Sequence, residues 1–190
     1  MSLKRYFQPA IAALITLTGC DSTDFDLSPV MVSDTVLVAA PIAGNEALPT
    51  ALDVSTDGAG GIWGGRFPER SVDALQWDFA VRIRDGQVAL VPQGALGVQS
   101  GAALTPALVG ETLEGLREAP GQTTFIATEA VTMETGRVYA ARTRNALPVF
   151  GSGCTQFSKI SPLEIDQSAG RVRIAVTTNQ RCNDPRLVTE

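Results

Sequence analysis

Leu75-Gln-Trp-Asp-Phe-Ala-Val-Arg-Ile83, then Arg84-Asp85-Gly86-Gln87, then Val88-Ala-Leu-Val-Pro92 is the stretch whose reading sets the fold class. Leu75, Trp77, Phe79, Val81 and Ile83 alternate with smaller or more polar neighbours, the period-2 pattern of a half-buried strand. Asp85-Gly86 tolerates positive φ, so a two-residue turn reverses the chain there into a hairpin. The reversal sets Ile83 opposite Val88 and Val81 opposite Leu90. All four side chains then fall on one face, and this fixes the register. Pro92 ends the second strand near a sheet edge.

The rest of the chain continues in the same rhythm. Asp34–Ala40 is a short apolar run between polar and proline residues and reads as a buried strand. From Gly136 onward a meander follows: Arg137–Arg144, Thr155–Ile160, Leu163–Asp166, a turn at Gln167–Gly170, and Arg171–Thr178. In the last of these, Val172, Ile174 and Val176 share one face while Arg171 and Arg173 share the other. Thr105–Pro120 is the one helix candidate, with Thr105 as N-cap, Pro106 at the first helical position, and Leu108, Val109, Leu113 and Leu116 near one side. Gly110 and Gly115 weaken it, so a short helix or helical turn is expected. The expected fold is mainly β, an antiparallel β-sandwich or partly closed barrel over residues 34–190, with at most one short helix.

The N-terminus carries a different signal. Lys4-Arg5 precedes an apolar run from Tyr6 to Thr18 that is too short to span a bilayer core of ~30 Å, and Leu17-Thr18-Gly19-Cys20 closes it. Residues 1–19 therefore read as a cleaved signal peptide. The last four residues resemble the lipobox of bacterial lipoproteins. That resemblance implies a diacylglycerol on the Cys20 thiol, cleavage before Cys20, acylation of the new amino group, and a mature chain hung from a membrane by lipid. The alternative is an ordinary secretory peptide in which Cys20 has no role. Residues 20–33, polar and acidic without periodicity, read as a flexible tether. Asp21 resembles the inner-membrane retention signal of enteric bacteria. Because that rule is not general, the expected localisation is the bacterial cell envelope on either membrane, at the periplasmic or surface face.

Without the leader, 171 of 190 residues remain, enough for one domain with a real core. Lys4 and Arg5 leave with it, so 13 Lys+Arg face 20 Asp+Glu, a net charge of −7. Nothing in this balance favours nucleic acid or an anionic lipid surface. With Cys20 lipidated, Cys154 and Cys182 remain, and an exported chain with two cysteines most simply forms one disulfide. It would close a loop of 29 residues counting both ends, worth roughly 3–4 kcal/mol by loop-closure entropy.

The chain has no histidine. This excludes Ser-His-Asp and Cys-His nucleophile systems, H-E-x-x-H zinc sites and imidazole acid/base chemistry. A Ser–Lys dyad would need Lys159, the one lysine left after cleavage, and no S-x-x-K spacing surrounds it. Lys159 reads as a solvated strand residue. Paired-carboxylate hydrolysis stays open because its acids need be close only in space. Glu111, Glu114 and Glu118 would share one face of the expected helix and read as solvated. Asp53-Val-Ser-Thr-Asp57-Gly58 imitates the first half of a calcium loop but has Gly64 where the bidentate Glu belongs, so it reads as a turn. The nearby glycines miss G-x-G-x-x-G, because Trp63 occupies the last position. Trp63 itself is expected to pack over a sheet edge rather than stack on a sugar.

The segments VYAARTR, QFSKISPLEID and GRVRIAV within the last part of the chain resemble the C-terminal strands of a family of all-β haem-binding bacterial lipoproteins, and similar envelope modules. The haem ligands of that family are histidines, so no ligand carries over. A haem or metal carrier would have to use Met31, Met133 or carboxylates. One surface candidate remains: Arg82 and Arg84, Arg142 and Arg144, and Arg171 and Arg173 each sit two apart on expected strands, so each pair projects from one side. On a shared face they would form an anion-binding surface for envelope polymers. On separate faces they are ordinary charges of a wet sheet surface. Sequence alone thus points to a lipid-anchored envelope module, non-enzymatic, with envelope polymers or other envelope proteins as partners, no nucleic acid, no cofactor, no metal site and no assigned catalytic residue. A carboxylate-dependent glycan hydrolase is the alternative.

Overall fold

The Asp85-Gly86 hairpin organises one of two antiparallel five-stranded sheets in the computed structural model, which describes residues 28–57, 59–145 and 153–189. Residues 1–27, with the lipobox and Cys20, lie outside the described residues. The strands are β1 (Met31–Ala39), β2 (Ala51–Thr56), β3 (Ile62–Arg66), β4 (Phe79–Arg84), β5 (Gln87–Pro92), β6 (Ala103–Leu104), β7 (Val131–Thr132), β8 (Tyr139–Arg142), β9 (Phe157–Asp166) and β10 (Arg171–Asn179). One sheet has the order β1-β10-β9-β8-β6 and the other β3-β2-β4-β5-β7. The described residues contain no α-helix, only single 3-10 turns at Gln93–Leu96 and Gln122–Thr124.

The hairpin register is the expected one: Ile83 pairs with Val88 and Val81 with Leu90. Asp85 and Gly86 both take positive φ, 50° and 77°, as this turn requires. The inward residues of β4 and β5 meet Val36, Val38, Val172, Ile174 and Val176 from the other sheet in the main core. Phe79, Leu52, Leu90 and Ile160 are fully buried there, each contributing about 1.5–3 kcal/mol by removal from water. The two sheets pack as a sandwich, and among the described residues neither they nor the chain close into a barrel.

Several boundaries differ from expectation, each for a visible reason. β1 begins at Met31, three residues before the expected start, because its ladder with β10 runs from Met31 opposite Asn179 to Ala39 opposite Arg171. The two expected strands 155–160 and 163–166 are one strand, β9, that passes through Pro162. Its pairing with β10 slips between Arg173 and Ile174, so Leu163 is the extra residue of a bulge. A bulge is one of the few places a sheet accepts proline. β8 pairs only with Phe157–Ile160, so Pro162 lies beyond that ladder.

Of the short helix or helical turn expected within 105–120, only one turn forms, closed by the Leu116 N–H on the Thr112 carbonyl at 3.0 Å. Gly110 takes φ +83°, and Leu108 forms a bridge to Val138 instead. Leu108, Leu113, Leu116 and Ala119 lie with Leu187 against Val138 and Ala140, so the segment covers the outer face of the β1-β10-β9-β8-β6 sheet as a run of turns and isolated bridges. The Thr105 hydroxyl accepts the Ala140 N–H at 3.0 Å rather than capping a helix. With no helix, Glu111, Glu114 and Glu118 have no common helical face. The outer face of the other sheet is covered by residues 67–78, where Trp77 packs on Ala51, Ala80 and Val91.

Candidate functional site

β2 pairs with β4 only through Ala51 and Leu52, opposite Ala80 and Phe79. Beyond Leu52 the two strands part, and the β4-facing backbone groups of β2 need other partners. Side chains supply them. Asp78 Oδ2 accepts the Val54 N–H at 2.9 Å, the Thr178 hydroxyl donates to the Val54 carbonyl at 2.7 Å, and Gln156 Oε1 accepts the Thr56 N–H at 2.9 Å. Thr178 also bonds Ser158 at 2.8 Å, and Gln156 Nε2 donates to Thr56 Oγ1 and to the Gln180 carbonyl, both at 2.8 Å. Polar side chains from both sheets thus replace the missing strand.

An ion cluster is built on this edge. Arg144, just past β8, inserts its guanidinium between Asp53 and Asp78: Nη1 lies 3.0 Å from Asp53 Oδ1 and 3.2 Å from Asp78 Oδ1. Arg66 of β3 holds the other side of Asp53 at 3.2 Å and reaches Asp73 at 3.2 Å. The side chains of Asp53 and Asp78 are 0 % exposed. Three carboxylates face two guanidiniums, and the imbalance falls on Asp78. Burial first, and the charge of Asp53 second, push its carboxyl up to about 7, with Arg144 opposing. Burial works to lower the pKa of Arg144, and the two aspartates outweigh it, so its pKa is raised.

The sequence did not single out Asp78. It sat between Trp77 and Phe79 in what reads as one uninterrupted strand, whereas β4 begins at Phe79 and Leu75 is exposed. Asp53 lies inside β2 and is bound to arginines, so it is not the first ligand of a calcium loop. The turn itself is real: Asp57 Oδ1 accepts the N–H groups of Ala59 and Gly61, both at 2.8 Å. Gly58 lies outside the described residues. Trp63, on the edge strand β3, is half exposed, with the Arg66 guanidinium 4.4 Å over its ring. It stacks on a neighbour rather than covering the edge.

The six arginines are spread over the molecule. Arg82 and Arg84 are on β4 and the other four on or next to strands of the opposite sheet. Within that sheet Arg142 is opposite Phe157 and Arg171 opposite Asp166, so they are separated by the length of β9, about 30 Å. Arg144 is committed to Asp53 and Asp78, Arg171 to Asn45 Oδ1 and the Gly44 carbonyl, Arg173 to Glu164, and Arg142 to the Gly101 carbonyl. No shared face of six guanidiniums is formed, because one pair belongs to the opposite sheet, the other two lie at opposite ends of β9, and Arg144 leaves its strand.

Cys154, before β9, and Cys182, after β10, are disulfide-bonded with Cα atoms 4.9 Å apart. The bond holds the ends of the β9-β10 hairpin together beside Gln156. Met133 is buried in the main core and Met31 is half-buried on the outer sheet face, so the two methionines are on different sides of one sheet.

Lys159 departs most from its expected environment. It is only 6 % exposed. Its ammonium donates to the Leu116 carbonyl at 3.2 Å, beneath the 105–120 segment, and burial lowers its pKa. It lines a shallow cavity of about 410 Å³ on the outer sheet face. No protein-family model, curated protein or solved structure matches this chain.

Proposed function

We propose that the protein is a lipid-anchored cell-envelope module that works by binding or by structural attachment, without catalysing a reaction. Its partners would be envelope polymers or other envelope proteins, and it would be held to the membrane through Cys20. The observation that carries the non-enzymatic part is the position of Arg144. Asp53 and Asp78 are the chain's one fully buried pair of facing acids among the described residues. A hydrolase would leave space between such a pair for a glycosidic bond or a water. Here a guanidinium fills that space, and backbone N–H groups take further lone pairs. The pair therefore acts as a brace.

Anchor and alternative are tested together. Wild-type chain should remain with membranes through a high-salt wash and be released by detergent, since acyl attachment is apolar. Cys20→Ala chain should lose acylation and detergent-dependent retention. Purified wild-type chain that cleaved a glycan, with the activity lost in Asp78→Asn, would instead establish the carboxylate hydrolase.

A further inference from the structure

The outer face of the β1-β10-β9-β8-β6 sheet carries a polar row across three strands: Ser33 pairs with Thr177, and Thr177 with Lys159. Lys159 is the notable member. It is nearly buried, its one hydrogen bond is to the Leu116 carbonyl, and it has no carboxylate within ion-pair distance among the described residues. An ammonium has three donors, and the charge of Glu114, which favours it from beyond ion-pair distance, is opposed by burial and by Arg117. Ser33 and Thr177 bond each other at 2.9 Å. One hydroxyl donates to the other, which leaves the acceptor's own O–H for a further partner.

These groups line the same cavity as Arg117, with Met31, Leu113 and Leu187 forming an apolar wall. Among the described residues Glu114 is the one acid on its lining, against two cations. An anion beside an apolar group matches this arrangement: the carboxylate would take Lys159, Arg117 and the free hydroxyl, and the short apolar part would lie on the wall.

We propose that this cavity binds a small carboxylate bearing a short apolar group, with Lys159 and Arg117 as its charge partners. The chemistry fits a simple aliphatic acid and the carboxyl end of a peptide alike. The proposal deepens the non-enzymatic binding reading and rests on it, but it does not depend on the lipid anchor.

Lys159 is the only lysine after Lys4, so isotope-labelled lysine makes it a nearly background-free probe in the full chain. Hexanoate and N-acetyl-leucine, titrated to about 10 mM, a range that reads millimolar affinity, separate the two sources. N-acetyl-leucinamide is the uncharged control. The Lys159 Cε resonance should move saturably with at least one of the two acids and not with the amide. Arg117→Gln, whose side chain does not hold the covering segment in place, should weaken binding by roughly 3- to 5-fold, as expected of a partly exposed ion pair. Lys159→Met should abolish binding, read by thermal shift. If Lys159→Met does not fold, Arg117→Gln decides. No saturable response to either acid, an equal response to the amide, or unchanged affinity in Arg117→Gln would overturn the site. Glycan cleavage by the purified chain would overturn the non-enzymatic reading while leaving these titrations as they stand.

Discussion

Arg144 is bound twice to one oxygen of Asp78: its backbone N–H donates to Oδ1 at 2.7 Å and its Nη1 at 3.2 Å. The two residues are 66 positions apart and belong to segments of opposite sheets. This contact ties the end of β8 to the point where β2 and β4 separate. Removing the cation would leave two fully buried carboxylates facing each other, and breaking a buried pair from one side typically costs about 3–5 kcal/mol. Arg144→Leu should lower the unfolding free energy by that order in urea denaturation. Asp78→Asn should also destabilise, because its single amide oxygen can accept from the Val54 N–H or from the Arg144 donors but not both, and its NH2 then faces the other donor.

The same cluster predicts a pH dependence. The Asp78 carboxyl is raised from 3.8 to about 7 in the folded chain, so the native state holds this proton more tightly than the unfolded state. Between those values the unfolded state binds fewer protons, and stability therefore falls as pH rises, by at most about 1.4 kcal/mol per unit. Above pH 7 the effect is complete. With no histidine in the chain, few other groups titrate between pH 5 and pH 7.5. Wild type should unfold at higher urea at pH 5.5 than at pH 7.5, and Asp78→Asn should remove that difference. A wild-type midpoint that rises with pH over this window would contradict the charge imbalance.

The Cys154–Cys182 bond closes the β9-β10 hairpin, whose ladder already runs from Ser158 opposite Thr178 to Asp166 opposite Arg171. Replacing both cysteines with alanine should cost about 3 kcal/mol, without altering membrane retention. Alkylation of native protein should find neither thiol reactive, and two reactive thiols would refute the pairing.

Gly170 closes the β9-β10 turn at φ +62°, and a Cβ there would stand 3.1 Å from Ile83 Cδ1 and 3.2 Å from Ala40 Cβ. Both the backbone conformation and the space resist a side chain. Gly170→Ala should lower stability by about 1–3 kcal/mol, measurable as a shift in thermal midpoint. By contrast Gly86→Asn, at a turn with nothing within 4 Å, should cost a few tenths of a kcal/mol at most, since asparagine also accepts positive φ.

What was legible in the sequence was what depends on neighbours along the chain. The β4-β5 hairpin could be read because a period-2 pattern and a positive-φ turn specify register locally. The Cys154–Cys182 bond could be read because only two cysteines were left to pair. β2 carries no strand signal of its own: Ala51-Leu-Asp-Val-Ser-Thr56 mixes apolar and acidic residues, and the partners that make Asp53 tolerable there, Arg66 and Arg144, come from elsewhere. Arg144 shares parity with Arg142 and so reads as part of the same strand face, but the chain leaves the strand after Arg142. Lys159 reads as solvated because lysine is seldom buried without a partner. The cover over its strand face is the Thr105–Pro120 segment, and the spacing of Leu108, Leu113 and Leu116 there suits a helix until Gly110 breaks it.

The anchor is the claim on which the functional account depends most, and the N-terminal peptide of chain extracted from membranes tests it directly by mass spectrometry. The account predicts a mature chain that begins at Cys20, with a diacylglycerol thioether on that residue and fatty-acid labelling lost in Cys20→Ala. An unmodified Cys20, an N-terminus elsewhere, or labelling that persists in the alanine variant would contradict it.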